Sequence, residues 1–124
     1  MIESLDHVII AVNNLEKAEQ NYQKILGIKP SWRGNHKEWG TSNSLFSFQN
    51  TYLELLAATE EGMGAQLVKN KIKNDGEGLM GIVLGTDDLE AVRNKLVALG
   101  YSLPSQSNGE GINTNNNSKR SWVS

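Results

Sequence analysis

Blocks of hydrophobic and polar residues predict that the chain begins with a strand followed by a helix. The first block is a short aliphatic run over residues 5–12, which is typical of a buried strand. Apolar positions at helical spacing follow over residues 14–26, and Gly27 stands where a glycine commonly ends a helix. Asn13, with Glu16 three residues later, resembles the capping box that begins many helices.

The middle of the chain predicts three further strands and a second helix. The strands are residues 28–33, 43–49 and 51–57, and the segment RGNHKEWGTSN between the first two is interpreted as a polar loop. Residues 60–73 show weaker helical periodicity. The tail from residue 105 is rich in Asn, Ser and Gly, so it is expected to be mostly loop or disordered, with only Trp122 and Val123 to anchor a short strand.

The opening pattern recurs near residue 80, which indicates an internal repeat. The segment LMGIVLGTDDLEAVRNKLVALGY repeats the strand, helix cap, helix and terminal glycine of LDHVIIAVNNLEKAEQNYQKILGI. Leu89 follows Leu15 by 74 positions, and Gly100 follows Gly27 by 73. Chance rarely preserves four such features together. We therefore expect a single domain with a first module over about residues 3–58, a linking helix over about 60–73 and a partial second module over about 79–124.

Composition and charge narrow the functional classes. The chain has 124 residues, of which 38% are hydrophobic, and this is enough for one domain with a core. The net charge of −2 provides no basic excess for nucleic acid or an anionic membrane. The absence of cysteine excludes disulfides, zinc–thiolate sites and a cysteine nucleophile. Because there is no signal-peptide pattern and no apolar run near the roughly 20 residues of a membrane span, we expect a cytoplasmic protein.

Four segments carry a resemblance to a known family. LDHVIIAVNNLEKA, HKEWGTSNSLFSF, YLELLA and GLMGIVLGTDDLEAV occur in that order over roughly residues 3–103. They resemble the glyoxalase-like domain family of the vicinal oxygen chelate superfamily, which also includes glyoxalase I, extradiol dioxygenases and bleomycin-resistance proteins. The resemblance implies an α+β fold: a βαβββ module plus a second, C-terminally shortened module, in a curved mixed sheet with helices on its outer face.

The resemblance also implies positions for metal ligands. In metal-dependent members, two modules form a cleft, and each supplies one ligand from its first strand and one from its last. By that pattern His7 and Glu54 are the ligand positions of the first module, suited to a divalent ion such as zinc, iron, manganese or nickel. Strand parity agrees, because the aliphatic faces of the two strands suit packing on helices and leave His7 and Glu54 on the concave side.

The second module does not complete this metal site. The repeat places Gly81, which has no side-chain ligand, at the position that corresponds to His7. The strand that would carry a counterpart of Glu54 is missing before Ser124. We therefore expect no tightly bound cofactor or metal, although two ligands could hold a divalent metal weakly.

The shortened second module further predicts self-association. It leaves an open sheet edge and an apolar concave face, and exposed edges and apolar patches invite contacts. We therefore expect a homodimer, with neither nucleic acid nor a membrane as a partner.

Four further residues are candidates for lining a ligand cleft. His36 precedes WGT, where the glyoxalase-like family also has a histidine, and we interpret it as lining the cleft rather than binding metal. Trp39 is either an aromatic wall for a ligand or a lid packed on the core. Asn43 either lines the cleft or fixes the loop, and Tyr52 shares the strand face of Glu54.

Two interpretations stay open for each catalytic candidate. His7 either faces the cleft or is a strand-end histidine bonded to local backbone. Glu54 is costly to bury unpaired, so it is either paired structurally with a cation or serves as a ligand-facing, catalytic carboxylate. A pKa raised by burial would suit Glu54 as a general base.

The favoured function is that of a small glyoxalase-like protein that offers a cleft to a small organic molecule. As an enzyme it would catalyse a lyase- or isomerase-type proton transfer, with Glu54 as base or as a metal ligand beside His7. One alternative is a metal-free protein that binds or sequesters a small molecule, as drug-resistance members do. The other is an inactive, truncated relative that acts as a dimer.

Overall fold

The computed structural model describes all 124 residues and has an α+β fold, as the sequence predicted. In chain order the elements are β1 (Ile2–Ala11), α1 (Leu15–Leu26), β2 (Trp32–His36), β3 (Thr41–Ser47), β4 (Tyr52–Ala58), α2 (Met63–Asp75), β5 (Gly78–Thr86), α3 (Leu89–Ala98), β6 (Asn108–Asn113) and β7 (Lys119–Val123). None of the three helices has the length and apolarity needed to cross a membrane.

All seven strands form one mixed sheet. Their order across the sheet is β5-β1-β4-β3-β2-β6-β7. Only β1 and β4 are parallel, and α1, β2 and β3 form the long connection that a parallel pair requires; every other neighbouring pair is antiparallel. Strands β1, β4, β3 and β2 therefore form the centre of the sheet. The later strands extend it, β5 at one edge and the β6–β7 pair at the other.

The hydrophobic core lies between this sheet and α1. It consists of Val12, Leu15, Phe46, Leu55 and Ala57, with partly buried apolar side chains of α1 packed around them. Phe46 and Leu55 are fully buried. Burial of each large side chain contributes about 1.5–3 kcal/mol, and this fixes which face of β3 and β4 turns toward the helix.

The two strand–helix pairs of the internal repeat use the same type of cap. Asn14 accepts a hydrogen bond from the backbone N–H of Lys17 at the start of α1, and Asp88 accepts one from Ala91 at the start of α3. Each cap therefore lies one residue later than the capping-box pattern indicated. Gly27 ends α1 at φ 69°, a left-handed conformation that favours glycine.

The predicted loop RGNHKEWGTSN is wrong in extent. Residues 33–36 belong to β2 and residues 41–43 belong to β3, so only residues 37–40 form the turn between them. β2 also begins at Trp32 rather than at residue 28. Polar residues form strands here because β2 has a strand partner on each side, β3 and β6, which satisfy its backbone groups.

The expectation that the tail is mostly loop or disordered is also wrong. Residues 108–113 and 119–123 form an antiparallel hairpin that continues the sheet beyond β2. The hairpin joins the sheet where Gly34 pairs with Asn113. Next to that pair, the backbone N–H of Thr114 donates to the carbonyl oxygen of Arg33 at 2.9 Å. A partner strand far away in the chain supplies the pairing that the local Asn/Ser/Gly composition does not predict.

The second strand–helix pair is much less buried than the first. In β5, Leu79, Ile82 and Leu84 are 60%, 58% and 49% exposed, and α3 contains no buried residue. Leu79 and Ile82 pair with Ile10 and Val8, which lie on the helix-facing side of β1. The apolar surface of β5 on that side is therefore left largely uncovered by α3.

Candidate functional site

Strand register gathers one set of polar and aromatic side chains on the sheet face opposite the helices. Residues paired directly across neighbouring strands project to the same face. His7 pairs with Tyr52, Leu45 with Glu54 and Asn43 with Gly34, so the face continues from β1 to β2. Through β6 it reaches β7, on which Arg120 and Trp122 pair with Gly111 and Gly109.

The sheet curls toward this face and makes it concave. The guanidinium carbon of Arg120 lies 5.6 Å from the ring centre of Tyr52, although three strands separate β7 from β4. In a flat sheet these two strands would lie about 19 Å apart. Two side chains do not bridge that distance with such close contact, so the strands must bend around the face.

A buried hydrogen-bonded group forms the centre of the concave face. His7 Nε2 lies 3.1 Å from Glu54 Oε1, and the two side chains are only 13% and 10% exposed. Asn43 Nδ2 donates to the other carboxylate oxygen of Glu54 at 2.7 Å. His7 Nδ1 contacts Asp6 Oδ2 at 2.7 Å. The meeting of His7 and Glu54 follows the strand parity, and His7 is bonded to side chains rather than to local backbone.

The contacts of His7 favour its charged form. Both ring nitrogens face carboxylates, which only accept hydrogen bonds when ionised, so both nitrogens donate when both bonds form. Burial acts to lower the pKa of His7, but hydrogen bonds to Glu54 and Asp6 and their negative charges outweigh it, so the pKa is raised. His7 and Glu54 are therefore an imidazolium–carboxylate pair over part of the acidic range.

Glu54 does not have the raised pKa that burial alone suggests. Burial acts to raise it, but the hydrogen bonds from His7 and Asn43 and the positive charges of the histidines lower the pKa overall. The carboxylate is thus ionised at neutral pH, and its base strength is restrained by its partners.

Tyr52 supports the imidazole of His7. The two rings are stacked, with centres 4.4 Å apart and planes 11° from parallel. Burial and the nearby carboxylates raise the pKa of Tyr52 to about 12, against the lowering effect of Arg120. Tyr52 is therefore a neutral phenol at physiological pH and a fixed wall of the concave face.

His36 also lies on this face, but on strand β2 rather than in a loop. Its Nδ1 contacts Thr41 Oγ1 at 2.8 Å, and its ring meets the edge of Trp122 at 5.4 Å between centres. Burial lowers the pKa of His36, and the attraction of Glu54 does not reverse this. His36 therefore favours the neutral form, in contrast to His7.

Asn43 contributes one unsatisfied buried atom. It lies on β3, not in the predicted loop, and is only 4% exposed. Its amide nitrogen bonds Glu54, while its Oδ1 is buried without a hydrogen-bond partner. An unpaired buried acceptor is costly, so this position suits a donor from a ligand or a water molecule.

Sequence reasoning missed Trp32, Arg120 and Trp122 as members of the concave face. The Arg120 guanidinium lies 5.4 Å from the ring centre of Trp32. The signal that could have found them is alternation: Arg120 and Trp122 are two residues apart, and the glycines at 109 and 111 have the same spacing. A Cβ on Gly109 would overlap the ring of Trp122, so the glycine makes room for that side chain.

Trp39 is not brought into the hydrogen-bonded group around His7. It lies in the turn between β2 and β3, and its carbonyl oxygen accepts the backbone N–H of Ala65 in α2. A Cβ on Gly64 would meet the Cβ of Trp39 at 3.0 Å. Trp39 therefore contacts the start of α2, and the aromatic contacts with the two histidines come from Tyr52 and Trp122 instead.

The donor set does not fit a resident metal ion. Both oxygens of Glu54 and both ring nitrogens of His7 already have protein partners. The chain has no group of three or more His, Cys, Asp or Glu side chains arranged to hold a metal. A transition metal in a structural or catalytic site usually takes three or four protein ligands. The expectation that no metal is tightly bound stays a prediction.

A surface depression of about 700 Å³ is lined by the turn from Ser47 to Thr51. It contains none of the concave-face side chains described above and has one hydrophobic lining residue. We attach no function to it.

Comparison with known proteins gives similar sequences and similar folds. Ethylmalonyl-CoA/methylmalonyl-CoA epimerase of Cereibacter sphaeroides is 31% identical over 100 residues, which are 81% of this chain and 73% of that protein. Methylmalonyl-CoA epimerase of Streptomyces coelicolor, solved as a variant in complex with 2-nitronate-propionyl-CoA, has a TM-score of 0.73 and 21% identity, with 91% of this chain and 85% of that chain covered.

A longer protein contains the same fold. A hypothetical protein from Staphylococcus aureus has a TM-score of 0.77 and 24% identity over 97% of this chain, which spans 50% of its length.

The sequence also matches the glyoxalase-like domain over residues 5–122. Since this match extends over nearly the whole chain, the protein belongs to the glyoxalase-like domain family of the vicinal oxygen chelate superfamily.

Proposed function

We propose that the protein binds a small carbonyl compound on the concave face and catalyses an isomerase-type proton transfer next to the carbonyl group. The observation that carries the proposal is the buried contact between His7 and Glu54, which pairs a proton acceptor with a proton donor 3.1 Å apart. The sequence similarity to an epimerase of CoA esters supports an isomerase over a lyase. An acyl-CoA ester is therefore the first ligand to test.

The two side chains have complementary roles in this reaction. The carboxylate of Glu54 takes a proton from the carbon beside the carbonyl, and the C–H electron pair forms the double bond of an enolate. The carbonyl oxygen gains negative charge, and the Nε2–H of His7 donates a hydrogen bond to it. Return of this proton from the Glu54 carboxyl group to the same face of the enolate restores the original configuration, whereas inversion takes a proton from a water molecule on the opposite face, and Glu54 then releases its proton to solvent.

Ligand binding would also adjust the base strength of Glu54. In the free protein its pKa is lowered, first by the hydrogen bond from His7 and then by that from Asn43, against the effect of burial. When His7 turns its Nε2–H from Glu54 to the ligand oxygen, the carboxylate loses one stabilising bond and becomes a stronger base. The ion pair thus keeps both groups in the required protonation states until the ligand arrives.

Deuterium exchange tests this proposal without requiring inversion. Methylmalonyl-CoA is incubated with the protein in D₂O, and loss of the proton at the carbon between the two carbonyl groups is followed by NMR. We expect exchange above the protein-free rate, reduced roughly 10²–10⁴-fold by Glu54→Gln. Glu60→Gln, which changes an exposed carboxylate in the turn before α2, is the matched control and should leave the rate unchanged.

The exchange experiment has a clear contradictory outcome. A rate equal to that of buffer for this ester and for simpler acyl-CoA esters would exclude the proposed proton transfer on that ligand class. Metal content is measured in the same preparation by elemental analysis of protein without a histidine tag. One equivalent of metal that survives dialysis and is lost in His7→Ala would overturn the prediction that no metal is tightly bound.

A metal-free binding or sequestering protein is the second candidate function. The ring contacts of Arg120 with Trp32 and Tyr52 support it, because an aromatic wall with a cation can hold a ligand without chemistry. This function predicts a ligand-dependent rise in Tm without exchange. It also predicts that Glu54→Gln retains ligand binding.

A further inference from the structure

Two arginines lie on the strands of the sheet, Arg33 on β2 and Arg120 on β7, and of these only Arg120 has no carboxylate partner. Arg33 forms an ion pair with Glu19 at 3.0 Å, whereas Arg120 takes part in none of the ion pairs of the chain. Its guanidinium carbon lies instead 5.4 Å from the ring centre of Trp32 and 5.6 Å from that of Tyr52. The rings hold the charge in place without neutralising it.

The position of Arg120 links the hairpin to the buried acid–base pair. It contacts the ring of Tyr52, and that ring stacks on His7 at 4.4 Å. Two residues along the same strand face, Trp122 contacts His36. Arg120 is an exposed residue, whereas Glu54 is 8% exposed. An anion could therefore reach the guanidinium group from solvent while the rest of a ligand extends toward Glu54.

The direct partner of Arg120 across the hairpin is Gly111, and the space above this glycine is filled by protein. A Cβ on Gly111 would lie 3.2 Å from His36 Cδ2 and 3.7 Å from Trp122 Cζ3, so a ligand approaches Arg120 from its solvent-exposed side. In addition, the buried Asn43 Oδ1 lacks a hydrogen-bond donor, so this face has one cation without a carboxylate partner and one acceptor without a donor.

We propose that Arg120 is the anion-recognition residue of this site and that the ligand is an organic carboxylate. This inference rests on the proposed function for the placement of the reacting carbon but not for the binding of the anion. A planar guanidinium group matches a carboxylate through two parallel hydrogen bonds. A single arginine without a carboxylate partner suits this monoanionic group, whereas a doubly charged phosphate usually collects several cations or helix N-termini.

Malonate is the probe, with the neutral malonamide as its isostere. Binding is followed through the indole N–H signals of Trp32 and Trp122 in ¹⁵N-labelled full-length protein. We expect saturable binding of malonate and at least a tenfold weaker affinity in Arg120→Gln. Arg120→Lys keeps the positive charge but loses the two parallel hydrogen bonds of the guanidinium group, so its affinity for malonate should be intermediate. Lys119→Gln removes the neighbouring cation of β7, which projects from the opposite face, and should change the affinity less than twofold.

The outcomes separate this inference from the proposed function. If Arg120-dependent malonate binding is found but methylmalonyl-CoA shows no exchange, the carboxylate site stands and the proton transfer is wrong. If exchange depends on Glu54 but Arg120→Gln leaves both malonate affinity and the KM of the ester unchanged, the inference about Arg120 is wrong. Equal binding of malonamide, or tighter Arg120-dependent binding of inorganic phosphate, would overturn the assignment to a carboxylate. Thermal unfolding of each variant shows whether the fold is retained.

Discussion

At the scale of single residues, the two histidines of the concave face have opposite electrostatic surroundings. His7 lies between two carboxylates, 2.7 Å from Asp6 and 3.1 Å from Glu54, whereas His36 contacts a hydroxyl group and an indole ring. Burial disfavours the charged form of both rings. Paired carboxylates reverse this effect for His7 but not for His36, so the same residue type has a raised pKa in one place and a lowered pKa in the other.

We predict that the two histidines contribute to stability with opposite dependence on pH. The raised pKa of His7 gives a contribution that is complete below its ordinary value of 6.5 and is lost as pH rises through the folded value. The lowered pKa of His36 means that the unfolded chain binds the proton more readily, so stability decreases as pH falls below 6.5. Urea unfolding of wild type, His7→Gln and His36→Gln from pH 5 to 8 measures both effects.

Each variant isolates one of these contributions. Relative to wild type, His7→Gln should lose most stability near the acidic end of the series, while His36→Gln should lose least there. The ring-proton NMR titrations should lie on opposite sides of 6.5. Histidines that both titrate above this value, or both below it, would contradict the assignment of charge to the two rings.

At the scale of elements, the β6–β7 hairpin depends on glycine as much as on strand pairing. Gly109 lies directly across from Trp122, and Gly111 lies across from Arg120. Because neither glycine has a side chain, the indole ring can lie over the strand and reach His36. The alternation of glycine along β6 is therefore a packing requirement of the concave face.

Gly109→Ala is predicted to displace Trp122 from His36. The new methyl group would overlap the indole ring, and relief of such overpacking costs about 1–3 kcal/mol of unfolding free energy. The indole N–H signal of Trp122 and the ring signals of His36 should shift together. Gly81→Ala in β5 is the matched control, because no atom lies within 4 Å of its added Cβ. An unshifted Trp122 in Gly109→Ala would show that the hairpin does not hold the ring over this strand.

At the scale of the whole molecule, apolar surface is distributed unevenly. The β1–α1 half buries its aliphatic face in the core, but β5 leaves Leu79, Ile82 and Leu84 at least 49% exposed. The helix that follows β5 buries none of its residues. Contiguous exposed apolar surface of this kind is typical of a contact surface.

We therefore retain the prediction that the protein forms a homodimer, now through the exposed surface of β5. Sedimentation velocity at a few tens of micromolar, a range in which specific dimers are populated, should give the mass of a dimer. Ile82→Glu, which places a charge in this surface, should shift the distribution to monomer. Ile25→Glu changes a side chain of α1 that is 74% exposed and should leave the dimer intact. A monomer at every concentration for the wild-type chain would count decisively against the prediction.

The hydrophobic pattern of the sequence was sufficient to predict the elements whose signals lie in neighbouring residues, namely β1, α1 and β4. The aliphatic run of β1, the periodicity of α1 and the parity of β4 were sufficient to predict that His7 and Glu54 share one face. Register is strongly fixed there, because a slip by one residue would move the aliphatic positions away from the helix. The repeat of strand and helix follows from the same local signals, whereas the fold class was implied by the resemblance of four segments to the glyoxalase-like domain family.

Only the tertiary structure decided what surrounds those two residues. Gly34 pairs with Asn113 across a long stretch of chain, and this pairing turns an Asn/Ser/Gly-rich tail into a hairpin that brings Arg120 to Tyr52. The pKa of Glu54 is likewise set by partners on two other strands, so a prediction from burial alone had the wrong direction. Strand pairing between distant segments and the charges it brings together depend on three-dimensional proximity, which local periodicity does not encode.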